Sequence, residues 1–329
     1  MDNTNFSLRR LSDQARLHVI KTLDYLEFQF KNTSKSTKDR AVRISFSFTS
    51  SKSRLLVKSF NIPIDEFVLT IDNKLCITLC REHHDIDFLI YKNQEMGEPP
   101  RHLDVVSDVI SVNRYNRWEN LGLSFNDIFQ HLLSLFKVNE ISLFINNETE
   151  DWDSADVQNL VRKWDCIDIE DASDTYIRKL GDTVIPLTED VTMDNVQEIL
   201  PVFPQKIVIQ NFQEFRVLEY NLKLDDALAM NSKAFVLNKL STKEVSRFIK
   251  SWIRGSNPRM RELFVFLNQE EVNQTVLLKG LKYQVMPEEL ERRVNEHDVI
   301  RGGFDIRNKQ GKLATIHMRW NGVDFIVWD

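Results

Sequence analysis

Apolar residues near the start of the chain recur at helical spacing. Leu17, Ile20 and Leu23 lie three residues apart, and Val19 and Leu26 widen the same stripe. This pattern predicts a helix within a small helical module. A module of this size has too little apolar surface to be stable alone, so we expect it to need a neighbouring domain or a partner.

The pattern changes to alternation over residues 62–91. The runs "IPIDEFVLTIDNKLCITLC" and "DIDFLIY" are broken by the polar turns "DNK" and "REHHD". Three antiparallel strands are the simplest prediction. The segment that follows, 92–102, contains Gly97, Pro99 and Pro100 and is the best linker candidate in the chain.

From about residue 120 short apolar runs alternate with helix-like stretches. The runs begin 25, 40, 28 and 29 residues apart, and they are 141–145, 166–170, 206–212, 234–240 and 263–267. One strand and one helix every 25–30 residues is typical of a leucine-rich-repeat-like α/β solenoid, here with irregular repeats. A doubly wound α/β domain is the alternative.

The chain ends in three alternating runs separated by "NKQG" and "NG", within "GGFDIRNKQGKLATIHMRWNGVDFIVWD". Asn-Gly is a strong hairpin signal, so this end is predicted to be a β-meander that caps the solenoid. The predicted fold class is therefore α+β or α/β. It comprises an N-terminal helical module, a β-hairpin or meander segment, and a capped, irregular solenoid.

The stretch "STKEVSRFIKSWIRGSNPRMRELFVFL", residues 241–267, predicts a helix from about 242 to 254. Ser241 and Glu244 form a capping-box pattern, and Gly255 is placed to end the helix in a left-handed conformation. Its apolar face consists of Val245, Phe248, Ile249, Trp252 and Ile253.

Four cations, Lys243, Arg247, Lys250 and Arg254, lie opposite that apolar face. We interpret them as the solvated outer face of the helix. An anion-recognising stripe is the alternative, although no exposed aromatic residues or nucleic-acid motif accompany the cations.

Composition indicates a folded protein of two or three domains, with 329 residues, 42% of them hydrophobic. Three cysteines suit a reducing compartment. Neither a membrane-length apolar run nor a signal-peptide core is present, so we expect a cytoplasmic or nuclear protein without a membrane partner. The net charge of −6 argues against nucleic acid as the partner. Residues 1–58 are nevertheless +7, and the remainder is −13.

Two clusters suggest chemistry at first sight. Cys76, Cys80, His83 and His84 resemble a metal cluster, but two cysteines four residues apart on a strand are about 13 Å apart, too far for one zinc ion. The acidic segment 165–174 lacks the calcium-loop pattern.

Gly302 and Gly303 lack a phosphate-loop context and are expected to start a hairpin. No nucleophile motif appears either. We therefore predict no catalytic residue, no metal site and no cofactor.

The head, "FSLRRLSDQARLHVIKTLDYLEFQFKNTSKSTK", resembles the F-box of the large nematode F-box family. Ser7, Ser12 and Tyr25 stand where that family has prolines. The resemblance implies that an apolar surface of the head binds a Skp-type adaptor. The implied adaptor-binding residues are Phe6, Leu8, Leu11, Leu17, Ile20, Leu23 and Leu26.

The tail resembles the type-2 F-box-associated domain of the same proteins, most specifically at "FIKSWIRGSNPRMREL". The resemblance implies a non-catalytic substrate receptor of a Skp–cullin–F-box E3 ubiquitin ligase that binds an unknown protein substrate. The implied domains are an F-box-like module at 1–58, a meander and linker at 59–100, and an α/β domain at 101–329. The F-box-associated region occupies about 200–329 of the last.

Two other functions stay open from the residues alone. The chain could be a non-ligase interaction module whose F-box has decayed. It could also bind nucleic acid through the basic head and the helix at 242–254.

Overall fold

The structure is a computed structural model of the chain. It describes residues 44, 47, 48, 50–72, 74–81, 84–91, 102–109, 112–119, 122–146, 157–194, 205–218, 222–267, 271–294 and 299–328. The chain divides into two compact units, residues 1–141 and residues 142–329.

The first unit contains an antiparallel meander of five strands and two helices within its described residues. Each strand pairs with the next one along the chain. In chain order the elements are α1 (Ser51–Ser59), β1 (Pro63–Ile71), β2 (Lys74–Arg81), β3 (His84–Tyr91), β4 (His102–Val109), β5 (Val112–Glu119) and α2 (Phe125–Leu135).

The three strands predicted for residues 62–91 are confirmed as β1, β2 and β3. Their alternation buries one face: Phe67, Leu69 and Ile71 are fully buried on β1. Helix α2 covers this face, and the ring of Phe129 lies edge-on against Phe67 at 5.2 Å. The sequence did not predict β4 and β5, which follow the segment interpreted as a linker.

Helix α2 begins at a capping box, in which the Ser124 hydroxyl accepts from the Asp127 amide and the Asp127 carboxylate accepts from the Ser124 amide. Helix α1 begins at Ser50, whose hydroxyl accepts from the Ser53 amide. Arg54 on α1 donates to the Ser134 hydroxyl on α2, so a polar contact joins the two helices.

The second unit is dominated by a mixed sheet. Strand β6 (Lys137–Asn146) crosses the boundary between the units, and its residues from 142 onward pair with β7. The other elements are β7 (Trp164–Glu170), α3 (Asp174–Thr183), β8 (Thr188–Asp194), α4 (Gln205–Val208), β9 (Glu214–Val217), α5 (Leu224–Ala229), β10 (Ala234–Leu240), α6 (Thr242–Ile253), β11 (Glu262–Leu267), α7 (Gln274–Leu278), β12 (Gln284–Arg293), β13 (Val299–Arg307), β14 (Leu313–Arg319) and β15 (Gly322–Val327).

Strands β6 to β11 lie in chain order and are parallel. Strand β15 then pairs antiparallel with β11 and is followed outward by β14, β13 and β12. The strand order shows no reversal of the kind that defines a doubly wound sheet, so the alternative of a doubly wound α/β domain is wrong.

The predicted combination of a helical module with a capped solenoid is wrong. The described residues form mostly a mixed β-sheet with few helices. The C-terminal meander does not cap a repeat array, because β15 pairs with β11 and thereby extends the sheet. Connections of unequal length between the parallel strands of one sheet also place apolar runs 25–40 residues apart. The spacing of the runs therefore does not distinguish such a sheet from a repeat protein. The predicted helical head, residues 6–40, lies outside the described residues.

Individual elements were also misplaced. The apolar run 206–212 is not a strand, because Gln205–Val208 is a short helix and the strand begins at Glu214. Strand β8 and helix α3 were missed. Two of the helix-like stretches that the sequence places between the apolar runs are 154–165 and 193–200. Strand β7 begins at Trp164, inside the first, and the second lies mostly outside the described residues.

Candidate functional site

The residues predicted to bind the adaptor lie outside the part of the chain that the structure describes. They are Phe6, Leu8, Leu11, Leu17, Ile20, Leu23 and Leu26. Their role therefore stays a prediction, and the site is built from the second unit.

Helix α6 confirms the capping and face predictions made for residues 241–255. The Ser241 hydroxyl accepts from the Glu244 amide, and the Glu244 carboxylate accepts from the Ser241 amide at 2.9 Å. Trp252 is buried and lies edge-on to Phe325 of β15, with ring centroids 5.0 Å apart. The helix ends at Ile253, and Gly255, just past the C-cap Arg254, has φ of +108°.

The turn after α6 is fixed by Asn257, a residue of the most family-specific sequence stretch. Its backbone is left-handed, with φ of +50°. Its side-chain amide donates to the carbonyl oxygens of Met230 at 2.7 Å and Ala227 at 3.2 Å. Asn257 therefore satisfies carbonyl groups near the C-terminal end of α5 and holds α6 beside it.

The cations of α6 lie on its outer side. Lys243, Arg247 and Arg254 are exposed and Lys250 is half-buried, and none of the four has an ion-pair partner among the described residues. This placement agrees with the interpretation of a solvated face.

No group of three or more metal-ligating side chains was found among the described residues. Cys76 is buried, and the hydroxyl of Thr78 lies near its sulfur. Burial, reinforced by the nearby carboxylates of Asp85 and Glu66, raises the pKa of the Cys80 thiol to about 12. A thiol in this state is protonated at neutral pH and is a weak metal ligand.

One serine–histidine contact has the distance of a nucleophile and its base. The Ser47 Oγ and the His131 Nε2 are 2.8 Å apart. The Ser47 hydroxyl, however, donates its proton to the Ile44 carbonyl oxygen at 2.6 Å, so His131 must act as the donor to Ser47. Ser47 is also only 1% exposed, and the contact is structural in this geometry.

The acidic segment at 165–174 forms part of an open face of the sheet. Alternate residues of β7 to β9 are half-buried or exposed on this face, where Asp190 of β8 lies beside Cys166 of β7 and Glu214 of β9. Asp190 accepts a hydrogen bond from the Glu214 amide, and burial raises the pKa of its carboxyl. Glu214 pairs with Arg216 at 2.8 Å. The carboxylates of Asp190 and Glu214 on this face are thus engaged in a hydrogen bond and an ion pair, respectively.

A cleft lies at the free edge of the C-terminal meander, where β12 has β13 as its strand neighbour in the described sheet. Its volume is 740 Å³. We call it the edge cleft, and the residues that line it include Lys282, Tyr283, Met286, Leu290, Arg292, Asp305 and Arg307.

The edge cleft is built on a hydrogen-bonded network. Both terminal nitrogens of Arg292 donate to the Asp305 carboxylate at 2.9 Å, and one also donates to the Thr315 hydroxyl. Thr315 donates to Asp305 at 2.6 Å and accepts from the Trp328 indole at 2.8 Å. The guanidinium also lies 5.5 Å from the centroid of the Trp328 ring. Side chains of β12, β13 and β14 are thereby held in place around the Arg292–Asp305 ion pair.

The glycine pair predicted to start a hairpin lies instead inside β13. Gly302 and Gly303 have φ of +64° and +107°. They lie opposite a break in the β12 register between Met286 and Glu291, where four residues of β12 face a single residue of β13. Glycine is needed here because a bulge of this size requires left-handed backbone and close approach.

Residues 203–265 match the family model described as F-box associated. The match covers α4, β9, α5, β10, α6 and the start of β11. It supports the type-2 F-box-associated domain that the tail resemblance implied for about 200–329. Comparisons with curated proteins and with solved structures give no match.

No helix in the described ranges is long and apolar enough to cross a membrane.

Sequence reasoning missed the edge cleft entirely. Arg292 and Asp305 are 13 residues apart, and the pairing of their strands contains a break in register. The available signal was the pattern "VMPEELERR", in which Pro287 and two glutamates interrupt a strand. Such an interruption is typical of an edge strand.

Proposed function

We propose that the chain is the substrate-recognition subunit of a Skp–cullin–F-box E3 ubiquitin ligase. The observation that supports this most is the F-box-associated match at residues 203–265. The F-box-like pattern of the head supports it independently, because the two resemblances belong to one kind of protein and occur in its order.

In this proposal the chain has no catalytic step of its own and acts in the cytoplasm or nucleus. The apolar residues of the head bind a Skp-type adaptor, which connects the chain to the cullin complex. The C-terminal domain binds a protein substrate. Holding the substrate near a ubiquitin-charged enzyme raises the effective concentration of its lysines, which is the whole catalytic contribution of a receptor.

The test is co-purification of a Skp-type adaptor with the full chain at micromolar concentration. Leu17→Asp combined with Ile20→Asp is expected to abolish adaptor capture, because two carboxylates would be forced into an apolar interface. The matched control combines Ile209→Asp and Val285→Asp, whose side chains are 60% and 62% exposed in the second unit. It introduces the same charges and is expected to leave adaptor capture unchanged.

Absence of adaptor binding by the wild-type chain would contradict the ligase proposal. Equal loss in both double variants would contradict the assignment of the adaptor surface to the head. A non-ligase interaction module would instead capture a protein partner without adaptor, and that capture would survive removal of residues 1–40.

A further inference from the structure

The edge cleft has the features of a peptide-binding site. Its volume of 740 Å³ falls within the range of roughly 300–1,000 Å³ found for ligand pockets. Its inner wall is fixed by the Arg292–Asp305 network, whose side chains are 24% and 10% exposed. A ligand therefore meets a surface that is already organised, which reduces the conformational cost of binding.

The charges that bound the cleft are unbalanced. Its described lining residues include three cations, Lys282, Arg292 and Arg307, and one carboxylate, Asp305. Arg292 is neutralised by Asp305. Lys282 has no partner among the described residues, and Arg307 donates a hydrogen bond to the Gly311 carbonyl oxygen. Two exposed cations that no carboxylate neutralises favour an acidic ligand.

Apolar side chains lie beside those cations. Tyr283 is 44% exposed and Leu290 is 43% exposed, and both line the cleft. The Tyr283 ring is held edge-on against Phe304 at 5.3 Å, so it offers a rigid face. Exposed apolar side chains rimmed by polar and charged residues mark interaction sites.

The strand edge argues against a second copy of this chain as the occupant. The register break between Met286 and Glu291 interrupts the edge of β12, and Pro287 lacks an amide donor within it. Glu288 and Glu289 are exposed at the same place. Two copies of β12 would juxtapose like charges and broken registers, which are devices that prevent edge-to-edge pairing.

The same glutamates disfavour nucleic acid. A polyphosphate chain requires a continuous row of cations. Here Lys282 and Arg307 are only two cations, and Glu288 and Glu289 follow Lys282 by six and seven residues. Two cations suffice to pair with a single carboxylate but do not form such a row.

We propose that the edge cleft binds a short acidic peptide segment in which an apolar side chain neighbours a carboxylate. The apolar side chain packs against Tyr283 and Leu290, and the carboxylate pairs with Lys282 and Arg307. Resting on the proposed receptor function, this assigns the edge cleft to recognition of the protein substrate.

The test uses the full chain and a phage-displayed library of random heptapeptides. Selection on the wild-type chain is expected to enrich acidic peptides with an aliphatic or aromatic residue. One enriched peptide is then labelled, and its affinity is measured by fluorescence anisotropy. Lys282→Glu with Arg307→Glu is expected to weaken binding roughly tenfold or more, and 0.5 M salt is expected to weaken it as well.

The matched control is Lys243→Glu with Arg247→Glu on α6. It reverses two exposed cations in the same unit and is expected to leave peptide affinity unchanged. Leu290→Ser tests the apolar contact without changing charge, and it is expected to weaken binding several-fold. Circular dichroism and thermal unfolding check that each variant keeps the wild-type fold.

The proposal is overturned if no acidic peptide is enriched or if both charge-reversal variants lose affinity equally. It is also overturned if the cleft variant changes the oligomeric state by size-exclusion chromatography, or abolishes binding of a 20-nucleotide single strand. No adaptor takes part in this measurement. Loss of peptide binding at the edge cleft is therefore distinguishable from loss of adaptor capture, which tests the receptor proposal.

Discussion

His131 is a buried titratable residue on helix α2. It is 9% exposed, its ring stacks on Phe48 at 4.0 Å, and its Nε2 contacts the Ser47 hydroxyl. Burial, with the nearby Arg54 guanidinium, lowers the pKa of His131 from 6.5 to about 4. The imidazole is therefore neutral in the folded protein over the whole physiological range.

This environment predicts a pH-dependent stability for the chain. Because the folded pKa of His131 lies below the unfolded one, the unfolded chain binds the proton more readily. The stabilising contribution is complete above pH 6.5 and is lost as the pH falls toward 4. Its upper limit is about 3 kcal/mol. Urea unfolding of the wild type between pH 7 and pH 4.5 is expected to show this loss.

His131→Gln serves as the comparison for that measurement. Glutamine keeps a donor for Ser47 but does not titrate, so the loss of stability between pH 6.5 and 4.5 should shrink. An identical slope for the variant and the wild type would assign the pH dependence to other groups, such as the buried carboxyl groups.

At the scale of elements, helix α6 was predictable from local signals, whereas the element at 206–212 was not. The helix carries every local signal at once: Ser241 and Glu244 at its start, an apolar stripe, and Gly255 at its end. The run 206–212 carries only hydrophobicity, which suits a helix or a strand. In the structure Phe212 follows the short helix and stacks on Phe215 of β9 at 5.4 Å. Tertiary packing therefore decides the element.

The bulge between β12 and β13 leads to a prediction about glycine. A Cβ added to Gly303 would lie 2.8 Å from the Ile316 carbonyl oxygen, whereas a Cβ on Gly311 would meet nothing within 4 Å. Both residues have positive φ, of +107° and +84°. Gly311→Ala should cost about 1 kcal/mol from backbone strain alone. Gly303→Ala should cost roughly 3 kcal/mol, because the clash with backbone adds to that strain.

Urea denaturation of the two variants measures this difference directly. Since Gly303 pairs with Met286 of the edge cleft, the costlier substitution should also weaken peptide binding there. Equal unfolding free energies for the two variants would show that the contact between a Cβ at position 303 and the Ile316 carbonyl oxygen does not destabilise the fold.

At the scale of the whole molecule, composition and family resemblance could be read from the sequence, but the topology could not. The F-box-associated tail follows from "FIKSWIRGSNPRMREL", a stretch whose local structure and family match agree. The architecture does not follow, because the antiparallel pairing of β15 with β11 joins residues about 60 positions apart. The Arg292–Asp305 pair depends on the register of the same meander. Local patterns contain no information on either pairing.

The two proposed binding functions should be separable in one molecule. The Leu17→Asp, Ile20→Asp variant is expected to lose the adaptor and keep peptide affinity. The Lys282→Glu, Arg307→Glu variant is expected to keep the adaptor and lose the peptide. Parallel adaptor pull-down and peptide anisotropy on both variants check this. Loss of both functions in either variant would contradict separate surfaces.

The contact between Ser47 and His131 also bears on the order in which the chain is made. The two residues are 84 positions apart. At a synthesis rate of about 5–20 residues per second, Ser47 waits roughly 4 to 17 s before its partner histidine is added. Throughout that interval the residues that precede Ser47 have been synthesised, but the Ser47–His131 contact cannot yet exist. A chaperone or an early partner therefore has access to the nascent head for seconds before the His131 contact can form.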